Sequence, residues 1–345
     1  MELNEQEIRA ARKKEHISNF LKLEKDSKDY FKDINLFHNA LPDINFEEID
    51  TSYEFLNKKI SLPFMINAIT GGTEETKVIN KNLATLARKF NIPMAVGSQT
   101  VALKDKRSRD SFTIVRDIIG DGVVISNLSA TSPYENVRKV IEMVDADAVQ
   151  LHLNVAQEIC MPEGDREFKG ILRNIENIIK NISKPVIVKE VGFGISYEAA
   201  KKLSEIGVKY IDVGGKGGTN FIEIENMRNP VFDYSEFFSW GIPTPQSLVL
   251  CKKADYDFKL IASGGISKAE HIVKSLILGA EIAGISGKIL RTLKLKGIYE
   301  AEKEIEGLAH KIRVLMLLLG CKNIEQLKNL NYIYEYEKEL NHYIK

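Results

Sequence analysis

The sequence predicts an α/β chain folded as a (β/α)8 TIM barrel, with an N-terminal arm and a C-terminal helical extension. Three observations lead there. Eight short apolar runs recur through the middle of the chain, with helix-length stretches between them. The runs are continuous rather than alternating, as strands are when both faces of a parallel sheet are covered. Late in the series, Ile261-Ala262-Ser263-Gly264-Gly265-Ile266 and Gly284-Ile285-Ser286-Gly287-Lys288 each run from a strand into glycine. They lie about twenty residues apart, which leaves room for one helix, and a barrel holds phosphate in the loops after strands seven and eight. Glycine carries no Cβ, so its backbone N–H groups can approach a phosphate closely. A phosphorylated cofactor or substrate is expected. A doubly wound open sheet shares the alternation and is the competing architecture.

The strands are expected at Leu62–Ile69, Pro93–Gly97, Val123–Leu128, Ala148–Leu153, Pro185–Val191, Tyr210–Val213, Leu260–Ala262 and Ile282–Ile285. Between the first two, Glu74–Phe90 places Leu83, Leu86, Ala87 and Phe90 on one helical face, with Asn91 and Pro93 ending it. Tyr197–Ile206 and Ala269–Leu278 have the same character. Residues 1–59 form the arm, charged and helical in part, with Phe31–Phe55 less regular. The barrel takes 60–296. Residues 219–245 follow strand six as a long loop on the catalytic side, holding Trp240-Gly241-Ile242-Pro243-Thr244-Pro245, and are a candidate lid. The tail, 297–345, reads as helices, with an apolar stretch at Lys311–Leu319 that suggests subunit packing.

Hydrophobic residues make up 44% of the 345, enough for a full barrel core. Lys plus Arg equals Asp plus Glu at 48 each, which argues against a non-specific nucleic-acid binder. Cys160, Cys251 and Cys321 are scattered, without zinc spacing, and fit a reduced cytoplasm. The polar start MELNEQEIRAARKKEH has no secretory h-region, and the apolar run Val314–Leu319 is too short to span a bilayer.

Barrel chemistry sits at the C-terminal strand ends. There the chain offers Asn67-Ala68-Ile69-Thr70, then Gly97-Ser98-Gln99-Thr100, Ser126-Asn127, Gln150-Leu-His152-Leu-Asn154 with Gln157-Glu158, Lys189-Glu190, and Asp212-Val-Gly214-Gly215-Lys216-Gly217-Gly218-Thr219. This rim is neutral and rich in amides. Lys189 interrupts an apolar strand, so it needs an anionic partner or a lowered pKa. It could be a Schiff-base nucleophile, a cation held against an electron-rich flavin edge, or a lysine paired with a neighbouring glutamate. Glu158 could ligate Mg2+ beside a diphosphate, or be a solvated loop carboxylate. His152 and Asn154 share one strand face, inward or outward. Arg12-Lys13-Lys14-Glu15-His16 is a solvated helix face or, folded over the mouth, a diphosphate clamp. Lys216 among glycines suggests another close backbone approach. No Cys-His or Ser-His-Asp set is legible, and no Walker loop occurs.

Together these strings resemble the type 2 isopentenyl-diphosphate isomerases. The similarity runs in order from about residue 12 to 290, over most of a barrel-sized chain. Its most specific pieces are His152-Leu-Asn154-x-x-Gln157-Glu158 and the pair Gly217-Gly218-Thr219-Asn220 and Trp240-Gly241-Ile242-Pro243-Thr244. The resemblance implies a cytoplasmic enzyme that interconverts isopentenyl and dimethylallyl diphosphate by a 1,3-proton shift at reduced FMN. Mg2+ is required, NADPH serves as reductant, and the assembly is a homotetramer or homo-octamer. It implies that Asn67, Ala68, Ile69, Thr70, Ser98, Asn127, Lys189, Gly214 and Thr219 hold FMN, and that Gly264, Gly265, Ser267, Ser286 and Gly287 hold its phosphate. Arg12, Lys13, His16, Ser98, Gln99, Thr100, His152, Asn154 and Gln157 would surround the substrate, and Glu158 would bind the metal. Lys189, His152 and Gln157 would support catalysis, the proton transfers falling chiefly to the flavin.

Two departures stand out. Relatives often carry arginine where this chain has Thr100, and serine where it has Gly214. The second would cost one hydrogen bond to the flavin, about 1 kcal/mol. Two rival readings remain. A flavin-dependent 2-hydroxy acid oxidase would need a late-strand histidine base, and His271 falls in a helix instead. A non-catalytic phosphate-binding barrel would be colourless.

Overall fold

The computed structural model describes residues 15–23, 28–228, 231–255 and 257–343. Eight parallel strands close into a barrel: β1 (Phe64–Ile66), β2 (Met94–Ala95), β3 (Val124–Ser129), β4 (Ala148–Leu153), β5 (Val186–Glu190), β6 (Tyr210–Asp212), β7 (Lys259–Ser263) and β8 (Ala280–Ile285). Each pairs with the next in sequence, and β8 closes on β1 with Ala283 opposite Phe64. The open sheet is thereby excluded. All eight runs expected to be strands become strands. The first two are shorter than expected, because their polar ends turn into the loops of the mouth.

Strand alternation organises the interior in layers. Met65, Ala95, Ile125, Ala148, Ile187, Ile261 and Ile282 form an inner apolar cluster. Their neighbours one residue on, such as Ile66, Val149, Val188 and Ala262, face outward and pack under the helices. Two residues on from the inner cluster, the same face carries Asn67, Asn127, Gln150, Lys189 and Ser263. The barrel therefore has an apolar lower layer and a polar upper layer, and only the upper one faces the loops at the C-terminal strand ends. Below, the hairpin Tyr53–Phe55 and Lys58–Ile60 adds Phe55 and Ile60 to the inner cluster. Its turn residues Leu56 and Asn57 both have positive φ, as the two-residue hairpin turn that matches strand twist requires.

Helix Glu74–Phe90 begins at Thr73, whose hydroxyl accepts from the Thr76 N–H, and ends at Asn91 in the left-handed region. Its buried face includes Ile79, Leu83, Leu86 and Ala87. The tail is not all helical. After helices Ile298–Leu318 and Ile324–Lys328, Tyr332–Tyr334 forms a strand antiparallel to Ile34–Leu36, so the tail is joined to the N-terminal segment. A Tyr-Ile-Tyr run favours the extended state over the helix. The apolar stretch at Lys311–Leu319 is partly spent within the chain: Ile312, Met316 and Leu319 are buried, while Leu318 stays exposed. The segment 219–245 is also more ordered than a plain loop. It contains helix Phe221–Arg228 and a 3-10 turn, Ser235–Phe237.

Candidate active site

The polar upper layer is a continuous hydrogen-bonded floor. From β6, Asp212 is fully buried and stands 3.0 Å from the Lys189 Nζ of β5. The same carboxylate accepts from Asn67 Nδ2 at 2.7 Å, from Gln150 Nε2 at 3.3 Å, and from the Ser263 hydroxyl. Gln150 Nε2 also donates to Asn67 Oδ1 at 2.9 Å, and Gln150 Oε1 accepts from Asn127 Nδ2 at 3.0 Å. Asn127 Oδ1 in turn meets His152 Nδ1 at 2.9 Å. One chain of contacts thus crosses the barrel from β4 to β7.

This floor decides between the readings of Lys189. Its partner is Asp212, not the adjacent glutamate; Nζ also donates to the Ser263 hydroxyl at 3.1 Å and the Glu190 carbonyl at 3.2 Å. An ammonium held by a carboxylate and two further acceptors is a fixed cation, not a free-amine nucleophile. The Glu190 carboxylate turns away to accept from the Phe193 and Gly194 N–H groups. Burial pushes it up to about 8, against those N–H groups and Lys189.

His152 points inward. Burial, and then the Lys189 charge, push its imidazole down to about 4, so it is neutral at neutral pH. Asn154 and Glu158 meet at the mouth, where Asn154 Nδ2 donates to Glu158 Oε1 at 2.7 Å. Glu158 and Gln157 lie on a short helix, Val155–Cys160, rather than in a loop. Glu158 Oε2 accepts from the Asp165 N–H at 2.9 Å. Among the described residues no group of three or more His, Cys, Asp or Glu could hold a metal by itself. A lone carboxylate here fits a Mg2+ carried mainly by diphosphate oxygens and water.

The N-terminal helix over 15–22 lies across this mouth. His16 Nε2 is 2.8 Å from Glu225 Oε1, and Gln157 Nε2 donates to the same oxygen at 2.8 Å. Arg228 joins Glu225 at 2.5 Å, Glu15 at 2.9 Å and Glu163 at 2.9 Å. Burial alone would raise Glu225, but His16, Gln157 and Arg228 outweigh it and hold the carboxyl at about 2. At the other end of the helix, Arg291 donates to the carbonyls of Phe20, Leu21 and Leu23. A guanidinium there satisfies the orphan carbonyls of the last turn. Arg12 and Lys13 lie outside the described residues.

Glycine shapes the far side of the mouth. A Cβ on Gly264 would stand 1.9 Å from the Gly215 carbonyl oxygen, and one on Gly265 would stand 2.7 Å from Gly217. The loops after β6 and β7 therefore pack backbone on backbone. Helix Gly287–Lys296 opens at Ser286, with Gly287 against Phe20 of the arm and Thr219 nearby. In the loop after β1, the Thr70 carbonyl accepts from the Gly97 N–H at 3.2 Å. Ala68, Ile69 and the Ser98–Thr100 hydroxyl pair, 3.0 Å apart, edge the same opening.

Two expectations are corrected. Gln99 is fully buried; its Oε1 accepts from the Asn127 N–H at 3.0 Å and its amide donates to the Val140 carbonyl at 3.2 Å. Both ends are engaged inside the protein, so it fixes Asn127 rather than touching a diphosphate. Gly214 is not a lost hydrogen bond. Its φ is +46°, and a Cβ would lie 1.8 Å from the Glu190 carbonyl oxygen, so a serine here would require the backbone after β5 to move. Sequence reasoning passed over Gln150 and the joint role of Asp212 and Ser263. Asp212 interrupts an apolar strand as Lys189 does, and that shared signal could have paired them. Glu225 and Arg228 carried no signal, since both sit in a segment read as loop.

A closed parallel barrel with a polar floor and facing glycine loops defines the class: a (β/α)8 enzyme with its site at the C-terminal strand ends. Residues 125–333 match the FMN-dependent dehydrogenase family. Solved mandelate oxidase structures share the fold. One with 4-Br-2-hydroxy-methylphenylacetate superposes with a TM-score of 0.68 at 16% identity, over 95% of this chain and 99% of that one. At that identity the likeness shows the fold alone. Much nearer in sequence is the isopentenyl-diphosphate delta-isomerase of Geobacillus sp. (strain WCH70), 43% identical over 324 residues, 93% of this chain and 92% of the relative. The enzyme of the same name from Bacillus licheniformis is 45% identical over 322 residues, with the same coverage. The chain belongs to this isopentenyl-diphosphate delta-isomerase family, in its FMN-dependent, type 2 form.

Proposed function

We infer that this chain interconverts isopentenyl diphosphate and dimethylallyl diphosphate by a 1,3-proton shift at reduced FMN, as a step of isoprenoid biosynthesis. The observation that carries the reading is identity of 43–45% along 93% of the chain to enzymes of that name. The site's chemistry agrees with it. The floor offers a fixed cation and neutral amides, and the glycine loops leave room for a phosphate.

Bound reduced FMN would supply an electron-rich face and an acid–base group for the proton shift. Lys189, fixed by Asp212, would face the flavin ring; Asn67, Ala68, Ile69, Thr70, Ser98, Asn127 and Thr219 would line it. The backbone at Gly214 would let the ring approach. Gly264, Gly265, Ser267, Ser286 and Gly287 would hold its phosphate. His152, neutral, and Asn154 and Gln157 would orient the diphosphate, with Thr100 at the edge. His16, Arg12 and Lys13 would close over it from the arm. Glu158 would hold Mg2+ against the diphosphate oxygens. Keeping water from the allylic carbons falls to the arm and helix Phe221–Arg228. NADPH would reduce the flavin. We assign 1–59 to the arm, 60–296 to the FMN-binding barrel and 297–345 to the extension, in a cytoplasmic homotetramer or homo-octamer. Three buried, unpaired cysteines accord with that compartment.

The test is an anaerobic conversion assay in which FMN, Mg2+ and NADPH are each omitted in turn. Loss of activity without flavin or magnesium is expected, with Glu158→Gln raising the Mg2+ requirement and Lys189→Ala lowering flavin retention. Bound flavin with oxygen-dependent turnover of a 2-hydroxy acid, and no isomerisation, would sink the reading.

A further inference from the structure

The string Trp240-Gly241-Ile242-Pro243-Thr244 is among the most specific in the sequence, and the proposed function leaves it without a role. It ends the segment read as a candidate lid, yet its last residues are built into the barrel. We propose that residues 241–247 are a fixed brace across the loops after β5, β6 and β7, and that Thr244 is a positioning residue which, through Ser263, keeps Lys189 in place for the isomerisation. The proposal rests on the reading of the chain as an FMN-dependent isomerase.

The backbone of the brace is spent on two of these loops. Gly241 has φ +105°, and a Cβ there would stand 3.0 Å from the Phe193 Cα in the loop after β5. The Ile242 N–H donates to the Phe193 carbonyl at 2.7 Å, while the Ile242 carbonyl accepts from the Lys216 N–H, after β6, at 2.9 Å. Pro243 brings no N–H that would need a partner at this crossing. The Thr244 N–H then donates to the Lys216 carbonyl at 3.3 Å. Beyond it, the Ser247 hydroxyl accepts from the Ile195 N–H at 2.8 Å and donates to the Ile195 carbonyl at 2.9 Å. A segment tied on both sides in this way is anchored, and lid motion is confined to the residues before 241.

Thr244 reaches the third loop. It is fully buried, and its hydroxyl lies 2.9 Å from the Ser263 carbonyl and 2.7 Å from the Gly264 carbonyl, at the end of β7. One hydroxyl proton is shared between the two carbonyls. The Ser263 carbonyl also accepts from the Gly215 N–H at 2.8 Å, and a Cβ on Gly215 would stand 2.5 Å from the Thr244 Cα. Ser263 is thus held from behind by Thr244 and Gly215, while its hydroxyl faces the floor, donating to Asp212 and accepting from Lys189 Nζ at 3.1 Å. Valine has nearly the shape of threonine but no donor, so Thr244→Val leaves these buried carbonyls short of a hydrogen bond. The strand end then relaxes, and with it the Ser263 hydroxyl that steadies Lys189. A cation at the flavin edge favours the reduced, electron-rich ring, so a less steady Lys189 means a lower flavin potential and a slower isomerisation.

The full-length chain is loaded with FMN, and the midpoint potential of the flavin is measured together with kcat and KM for isopentenyl diphosphate and a thermal melt. Thr244→Val is expected to lower the potential and to cut kcat about tenfold, with KM within about twofold of wild type. Thr244→Ser, which keeps the hydroxyl, should restore both. Ile312→Val, a buried change in the tail helix, should lower the melting temperature and leave the potential and kcat at wild-type values. A folded Thr244→Val with wild-type potential and kcat overturns the proposal. So does a Thr244→Ser no better than the valine variant, or an equal fall in potential in Ile312→Val. If Thr244→Val does not fold, Ser263→Ala decides: the proposal requires a lowered potential there, and an unchanged one overturns it. A wild-type chain that binds no flavin, or holds reduced FMN without isomerising, would remove the underlying reading itself, and the role of the brace with it.

Discussion

Asp212 and Lys189 show how one pair of residues can set the character of a site. Each interrupts an apolar strand, and each would be costly to bury alone. Together, with Asn67, Gln150 and Ser263, they satisfy one another across the barrel. Removing one partner leaves the other charge buried. Asp212→Asn is therefore expected to destabilise the fold by about 3 kcal/mol and to reduce flavin retention. A urea midpoint unchanged from wild type would show that the pair does not hold the floor. His152 makes a second prediction. The unfolded chain takes up a proton near the ordinary 6.5, while the folded chain waits until about 4. Between those values the unfolded state binds more protons, so this group makes stability rise with pH across that window. NMR titration should find the His152 ring shifting near pH 4; a transition at pH 6 to 7 would contradict its burial beside Lys189. The candidate residues were legible because catalytic loops begin where strands end. The hydrogen bonds among them were not, because a sequence does not say which of two strand faces is inward. Asn67, Gln150 and Lys189 are recognisable as one layer only once the strands are in register.

At the scale of elements, the arm and helix Phe221–Arg228 act as a pair. Glu225 and Arg228 sit on the helix, and Glu15 and His16 on the arm. Arg228→Ala leaves Glu225 buried with fewer partners, which costs about 3 kcal/mol locally when the network is broken on one side. That loss should free the arm, seen as faster limited proteolysis at the N-terminal end with the barrel intact by circular dichroism. Unchanged cleavage would mean that Arg291 and the packing of Phe20 hold the arm without this network. The latch also has a pH sign. Glu225 is lowered from 4.5 to about 2, so its contribution is present above the ordinary value and is lost as the pH falls toward 2. Helix Glu74–Phe90 was legible down to its end at Asn91, because its periodicity and caps agree. Helix Phe221–Arg228 was not. Its buried residues Ile222, Ile224 and Glu225 do not follow one apolar stripe, and the aromatic and glycine residues around it read as loop. The strand Tyr332–Tyr334 escaped for a different reason: three residues between helices show no period, and its partner lies some three hundred positions away, at Ile34–Leu36.

The whole molecule divides its work by height along the barrel axis. The lower layer of isoleucine, methionine and alanine is packing, closed from below by the hairpin at Tyr53–Phe55 and Lys58–Ile60. We assign the chemistry to the upper layer and the glycine loops, with the helix over 15–22 lying above them. The eight-fold alternation was visible in the sequence because each strand is apolar on both faces below the mouth. Barrel closure was visible only as an inference from the two late glycine segments. The fold is shared with mandelate oxidases, so fold alone does not choose the reaction. His271, the late histidine, is stacked on Phe31 and bonded beside the Gly265 carbonyl, away from the polar floor, and cannot serve there as an oxidase base. Isomerisation at this site involves no net redox change. Its most direct test is to photoreduce the FMN-loaded enzyme anaerobically, add Mg2+ and isopentenyl diphosphate with no nicotinamide, and follow product and flavin absorbance together. Many turnovers to dimethylallyl diphosphate are expected while the flavin stays reduced. Stoichiometric reoxidation of the flavin, or no product from an enzyme that holds reduced FMN, would contradict it.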